Sequence, residues 1–279
     1  MELCGRSEAV GASRRALVLP SAVVLAAVLA APAAGAGDVA LLPDTALHFE
    51  GAGYAPSETE LQWTTWIGAG VGVLTVRHAT GYVAGDVETI LGDERKPFDA
   101  YQVNYHLEAG IRVPVGSVLL VPFFHHVSRH LIDRPKTPTV DWNVLGLRAV
   151  GALPAALRVP GRYAVSLGHT VETTHVTYGW ELTARAEAEV RRWSWAAAYL
   201  RVAARAVTTS DPAPPRDGFL DFAAEGGIRV RRGERHLDFF LAYEHRNDVF
   251  LLDPGSRDRA LFGLRLASSP ASYVDEVRP

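Results

Sequence analysis

Apolar and polar residues alternate with a period of two along most of this chain. Over 101–113 the odd positions are Tyr101, Val103, Tyr105, Leu107, Ala109, Ile111 and Val113, all apolar or aromatic. The even positions are Gln102, Asn104, His106, Glu108, Gly110 and Arg112, almost all polar. The same division recurs over 176–190, 220–230 and 237–247, with charges of both signs on one face and almost none on the other. Successive side chains of a β-strand point to opposite faces, whereas a helix would scatter these charges around its axis. The pattern predicts strands over 61–77, 98–113, 117–131, 140–152, 161–173, 176–190, 193–207, 218–231, 235–249 and 259–267. The stretch 80–91 has the composition to add to them.

These runs exceed the five or six residues usual for soluble strands and reach the length of about nine to eleven that a tilted membrane strand needs. Short connections are expected at 114–116, 191–192 and 232–234, and longer polar ones at 132–139, 208–218 and 252–258. Short turns on one side and longer loops on the other describe an outer-membrane barrel with periplasmic turns. The expected fold is therefore all-β, an antiparallel transmembrane up-and-down barrel of about 10–12 strands. A soluble sandwich or lipocalin-like barrel also alternates, but its charges face water rather than one another.

The N-terminus adds a destination. Arg14 and Arg15 precede the small apolar run 16–34, and Ala34-Gly35-Ala36 follows. That order is the signature of an export signal cleaved after Ala36. The expected organisation is a signal peptide over 1–36, an irregular lead-in over 37–59 and an outer-membrane barrel over 60–279. Cys4, the one cysteine, falls in the signal. The exported chain then has no disulfide and no thiolate metal site. A formal net charge of −3 argues against a nucleic-acid partner. No cofactor or metal is called for, and the chain is expected to be a monomer surrounded by outer-membrane lipid.

The expected inner face carries Glu108, Arg112, Glu181, Arg185, Glu187, Arg201, Arg205, Asp221, Glu225, Arg229, Asp238, Glu244, Arg246 and Arg265. In a bore of this size, opposite charges meet, pair and fill it. A general diffusion pore is disfavoured.

One constellation stands out. His126, Ser128 and His130 share a strand face, with Asp133 just beyond. A turn at 114–116 pairs Val113 with Ser117, setting Asn104 opposite His126 and Gln102 opposite Ser128. The expected result is a polar cluster of Gln102, Asn104, His126, Ser128 and His130 on the lumen side, near the end with the longer loops. Three readings compete for it. A Ser/His pair supports nucleophilic catalysis, because a histidine two residues along a strand can reach the serine and accept its proton. Asn104, Asp133 or Asp141 could orient the histidine. A metal would need both histidines, yet residues four apart on a strand are separated by about 13 Å. Hydrogen bonding among buried polar residues at the barrel mouth, or binding of a small-molecule or lipid ligand, completes the set.

The segment His126-Val127-Ser128-Arg129-His130-Leu131-Ile132-Asp133 resembles the H-x-S-x-H-L-x-D motif of an uncharacterised family of bacterial outer-membrane barrels. The resemblance extends over about residues 85–135 and includes Phe98-Asp99-Ala100. It implies the barrel fold and no reaction. More weakly, His126-x-Ser128 resembles the strand motif of lipid A 3-O-deacylases. That resemblance implies Ser128 as nucleophile, His126 as base and an acyl ester of lipid A as substrate. Arg129 stands where those enzymes have asparagine, and such an enzyme must turn its serine to the lipid rather than to the lumen. The expected role is structural or binding at the cell surface, with a Ser/His lipid esterase as the alternative.

Overall fold

The computed structural model describes residues 39–134, 139–212, 215–233, 235–251, 253 and 255–268; the expected signal peptide lies outside them. The strands are β1 Val39–Leu41, β2 Thr45–Ala55, β3 Trp63–Val76, β4 Ala79–Gly92, β5 Asp99–Val115, β6 Val118–Leu131 and β7 Val140–Ala152. They continue with β8 Gly161–Thr174, β9 Trp180–Arg192, β10 Ala196–Pro212, β11 Pro215–Arg232, β12 Arg235–Asn247 and β13 Ser256–Ala267. From β2 onward each strand pairs antiparallel with its neighbour in sequence, and β13 pairs with β2 through Ala260↔Ala55 to Ala267↔His48. The result is a closed up-and-down barrel of 12 wall strands. Closure matters physically, because it leaves no row of unpaired backbone groups to face hydrocarbon.

Two strands beyond the ten bring the count to the upper end of the expected range, one anticipated and one a correction. The segment 80–91 forms most of β4. The expected lead-in over 37–59 contains β1 and β2, and β2 is a full wall strand. Its alternation is regular, with His48, Glu50 and Ala52 buried inside and Leu47 and Phe49 exposed outside. The run Gly51-Ala52-Gly53 thins that pattern in the sequence. β1 pairs with β3 (Leu41↔Leu74) just below the point where β2 leaves it (Thr45↔Val71). The expected loop over 208–218 is also largely strand, because β10 and β11 stay paired as far as Pro212↔Pro215.

The start of β2, the end of β13, the tight turns at 77–78, 116–117 and 193–195, and the β11–β12 connection at Gly233 share one end of the barrel. Gly116 and Gly233 occupy positive φ in two of those turns. The longer 153–160 connector also lies at this end, with its 3-10 turn at Ala155–Leu157. The opposite end carries the connections 56–62, 93–98, 132–139, 175–179 and 248–255.

The wall has the polarity of a membrane protein. Ile67, Leu107, Leu147, Leu167, Leu200, Leu241 and Leu264, from seven different strands, leave an apolar exterior exposed. The interior is charged. Arg265 bridges Glu50 (2.6 Å) and Glu225 (2.7 Å), and Arg229 bridges Glu187 (2.6 Å) and Asp238 (2.8 Å). Arg205 bridges Glu181 (2.7 Å) and Asp221 (3.2 Å), while Arg148 meets Glu108 at 2.7 Å. A soluble barrel would reverse this arrangement, so the chain is a transmembrane barrel of the bacterial outer membrane.

Part of the chain also packs into the lumen at the long-loop end. After β12 the chain turns inward and buries Val249 against Tyr54, Leu61 and Ile90. Leu251 joins Trp142 and Tyr178 in a second apolar cluster. Gln102 Nε2 donates to the Val249 carbonyl at 3.1 Å. Asp248 accepts from the Tyr178 hydroxyl at 2.6 Å and from Arg216 at 2.8 Å. Burial raises the Tyr178 pKa, which keeps this phenol a donor.

Candidate functional site

The facing of the His/Ser segment depends on the β5–β6 turn. That turn is formed by Gly116 and Ser117, with Val115 paired to Val118. The expected pairing of Val113 with Ser117 is therefore displaced by three residues. Three is odd, so every side chain of β6 changes face relative to β5. Tyr105, not Gln102, is the partner of Ser128, and Asn104 is opposite Arg129.

The expected cluster consequently divides across the wall. Gln102 and Asn104 are buried inside, where Gln102 Nε2 donates to Asn104 Oδ1 (2.8 Å) and Asn104 Nδ2 to Glu88 Oε2 (2.6 Å). Their neighbours on β6 are His125, Val127 and Arg129, all buried. His125 stacks on His106 with ring centroids 5.5 Å apart. His126, Ser128 and His130 instead have the parity of exposed Phe124, on the exterior. This corrects the lumen-side assignment of all three. Asp133, beyond the strand, is exposed at positive φ, and its carbonyl accepts from Arg95.

On the exterior, Ser128 Oγ and His130 Nε2 are hydrogen-bonded at 2.7 Å. The His130 ring meets Tyr105 edge-on, with centroids 5.7 Å apart. His126 bonds elsewhere, its Nδ1 to Asn143 Oδ1 at 2.7 Å. Asn143 Nδ2 in turn donates to Glu172 Oε2 at 3.1 Å. The serine thus has a histidine partner, but that partner is His130, while His126 heads a separate His–Asn–Glu chain. Asp141 is the cross-strand neighbour of Ser128 on β7. Ser128 is itself buried, and both histidines are partly exposed. Ser128 sits three residues before the end of β6, about 10 Å from the long-loop rim at strand rise.

Asn143, Glu172 and Tyr105 were not singled out by the sequence. The available signal was parity on β7, where Asp141 and Asn143 are polar on the face that carries Leu145 and Leu147 farther along. Among the described residues, no group of three or more His, Cys, Asp or Glu side chains could hold a metal ion.

No family model matches the chain, and no curated protein matches it. Among solved structures it is similar to the translocator domain of the autotransporter NalP from Neisseria meningitidis, at 12% identity, a TM-score of 0.36, and coverage of 80% of this chain and 86% of that one. It is similar to the β domain of the Bordetella autotransporter BrkA at 11% identity and a TM-score of 0.39, covering 81% of this chain and 98% of that one. A bacterial polysaccharide outer membrane secretin follows at 8% identity and a TM-score of 0.35, covering 82% of this chain and 99% of that one.

Proposed function

We propose that this outer-membrane barrel is a lipid-facing Ser/His acyl-ester hydrolase, with Ser128 as nucleophile and His130 as its base. The observation that carries the reading is the 2.7 Å hydrogen bond between Ser128 Oγ and His130 Nε2 on the exterior of the wall. An exterior position answers the requirement that such an enzyme meet its substrate in the leaflet. With Nε2 unprotonated, His130 accepts the serine proton as Oγ bonds to the acyl carbonyl carbon. The ester C–O bond then breaks, His130 returns the proton to the leaving alkoxide, and water releases the acyl group from Ser128. The acyl esters of lipid A are the substrate class that the resemblance implies. His126, the base implied by that resemblance, is bonded to Asn143 instead and takes no part in the proton transfer.

The competing reading is a structural or surface-binding barrel. The ion-paired lumen and the inward-folded 248–251 segment favour it, since they give the interior no evident transport role. Mass spectrometry of lipid A from cells with and without the protein separates the two. Loss of one acyl chain with wild type is expected, and its absence with Ser128→Ala and His130→Ala. A general base contributes about 10²- to 10⁴-fold, so His130→Ala should fall by that factor while His126→Ala falls less. Unchanged lipid A with a folded wild-type barrel refutes the substrate; equal activity of Ser128→Ala refutes the nucleophile.

A further inference from the structure

The short-turn end carries a feature that the catalytic proposal does not use. Arg232 and Arg235 are direct cross-strand partners at the β11–β12 turn, and both are exposed. Their parity is that of Ile228 and Phe239, so they lie on the lipid side of the rim. Side chains so paired have Cβ atoms about 5 Å apart, and like charges in that position repel. Neither arginine makes an ion pair among the described residues; Glu234, between them, lies outside those residues.

The adjoining turns extend the charge. Arg231 N donates to the Trp195 carbonyl (3.2 Å), which sets the β11 end beside the β9–β10 turn. That turn exposes Arg191, whose guanidinium lies 5.9 Å from the Trp193 ring centre. Trp193 and Trp195 are 42% and 63% exposed. Glu189, near the end of β9, is already engaged by Arg192 and Arg231. An arginine pair with no ion pair among the described residues, flanked by exposed tryptophans at a membrane boundary, calls for anions at headgroup depth. Guanidinium groups bind phosphate oxygens in pairs, and tryptophans settle at the interface.

We propose that this arc, centred on Arg232 and Arg235 with Arg191, Trp193 and Trp195, binds the phosphodiester headgroups of anionic phospholipids. With short turns on the periplasmic side, the leaflet concerned is the inner one. The ligand neutralises a like-charge pair exposed on the lipid side of the rim.

The test is native mass spectrometry of the protein purified from outer membranes, given equal amounts of phosphatidylglycerol and phosphatidylcholine. At about fivefold per arginine near an anionic surface, wild type should retain phosphatidylglycerol over phosphatidylcholine by at least about fivefold. The double variant R232Q/R235Q should bring that ratio near one. R191Q, a single exposed substitution, should lower it partially and guards against a folding defect in the double variant. R77Q, at the same end but outside the arc, should leave it unchanged. Equal retention of the two lipids by wild type overturns the proposal, as does an unchanged ratio in R232Q/R235Q. Full displacement of phosphatidylglycerol by millimolar inorganic phosphate or by lipid A would overturn the assignment to a phospholipid headgroup.

Discussion

Arg229→Ala is the sharpest test of the claim that paired charges hold this barrel together from inside. The Arg229 side chain is 2% exposed. It donates to Asp238 at 2.8 and 2.9 Å and to Glu187 at 2.6 and 3.1 Å. Removing it affects the two carboxylates unequally. Glu187 retains Arg201 at 2.6 Å. Asp238, fully buried, retains Arg265 at 3.5 Å, which is a longer and weaker contact. The cost therefore falls mainly on Asp238, and stranding one partner of a buried pair costs about 3–5 kcal/mol. The Arg192–Glu189 pair provides the contrast, because the Arg192 side chain is 63% exposed. Arg192→Ala should cost about 0–1 kcal/mol.

The measurement is equilibrium unfolding by guanidinium in lipid vesicles, followed by tryptophan fluorescence and by the electrophoretic shift of the folded barrel. The expected order is Arg229→Ala well below Arg192→Ala, which lies near wild type. Replacing both partners, as Arg229→Met with Asp238→Leu, should recover part of the loss, since no buried carboxylate is then left alone. A loss for Arg229→Ala within about 1 kcal/mol of that for Arg192→Ala would refute the reasoning. So would a double variant less stable than the sum of the single ones.

Two further outcomes follow from the polarity of the wall and the segment packed into its mouth. Leu241, near the middle of β12 and 70% exposed, faces hydrocarbon; Leu241→Arg should cost about 2–4 kcal/mol in vesicle unfolding, and no cost there would contradict a membrane-facing wall. Val249→Asp puts a carboxylate among Tyr54, Leu61 and Ile90, and should displace the inward-folded segment and raise single-channel conductance above wild type. Equal conductance would show that the segment does not close the lumen.

The candidate site shows where local sequence stops informing. The β6 sequence is doubled at each polarity, as Leu119-Leu120, Phe123-Phe124 and His125-His126. Either parity gives an acceptable strand, so the facing of Ser128 is not encoded within β6 itself. It is imposed by pairing with β5, and that pairing is set at the turn. Pro114 resembles a turn residue, yet it lies in β5 opposite Leu119. The β4 ladder has already ended at Thr80↔Arg112, so the missing N–H of Pro114 faces no β4 partner. Gly116, at positive φ, makes the turn two residues later.

The class of object is written in the chain itself. Long alternating strands with charge on one face and hydrocarbon on the other admit a closed membrane barrel with a paired interior, because each strand declares its own two faces. Glu187, Arg205, Glu225 and Arg229 were all legible as lumen residues for that reason. Whatever depends on two strands at once had to await their pairing. The closure of β13 on β2, the exterior dyad of Ser128 with His130, the arrival of Asn143 and Glu172 beside His126, and the juxtaposition of Arg232 with Arg235 all follow from register. Register is a relation between segments, and a shift of a single residue in it exchanges inside for outside.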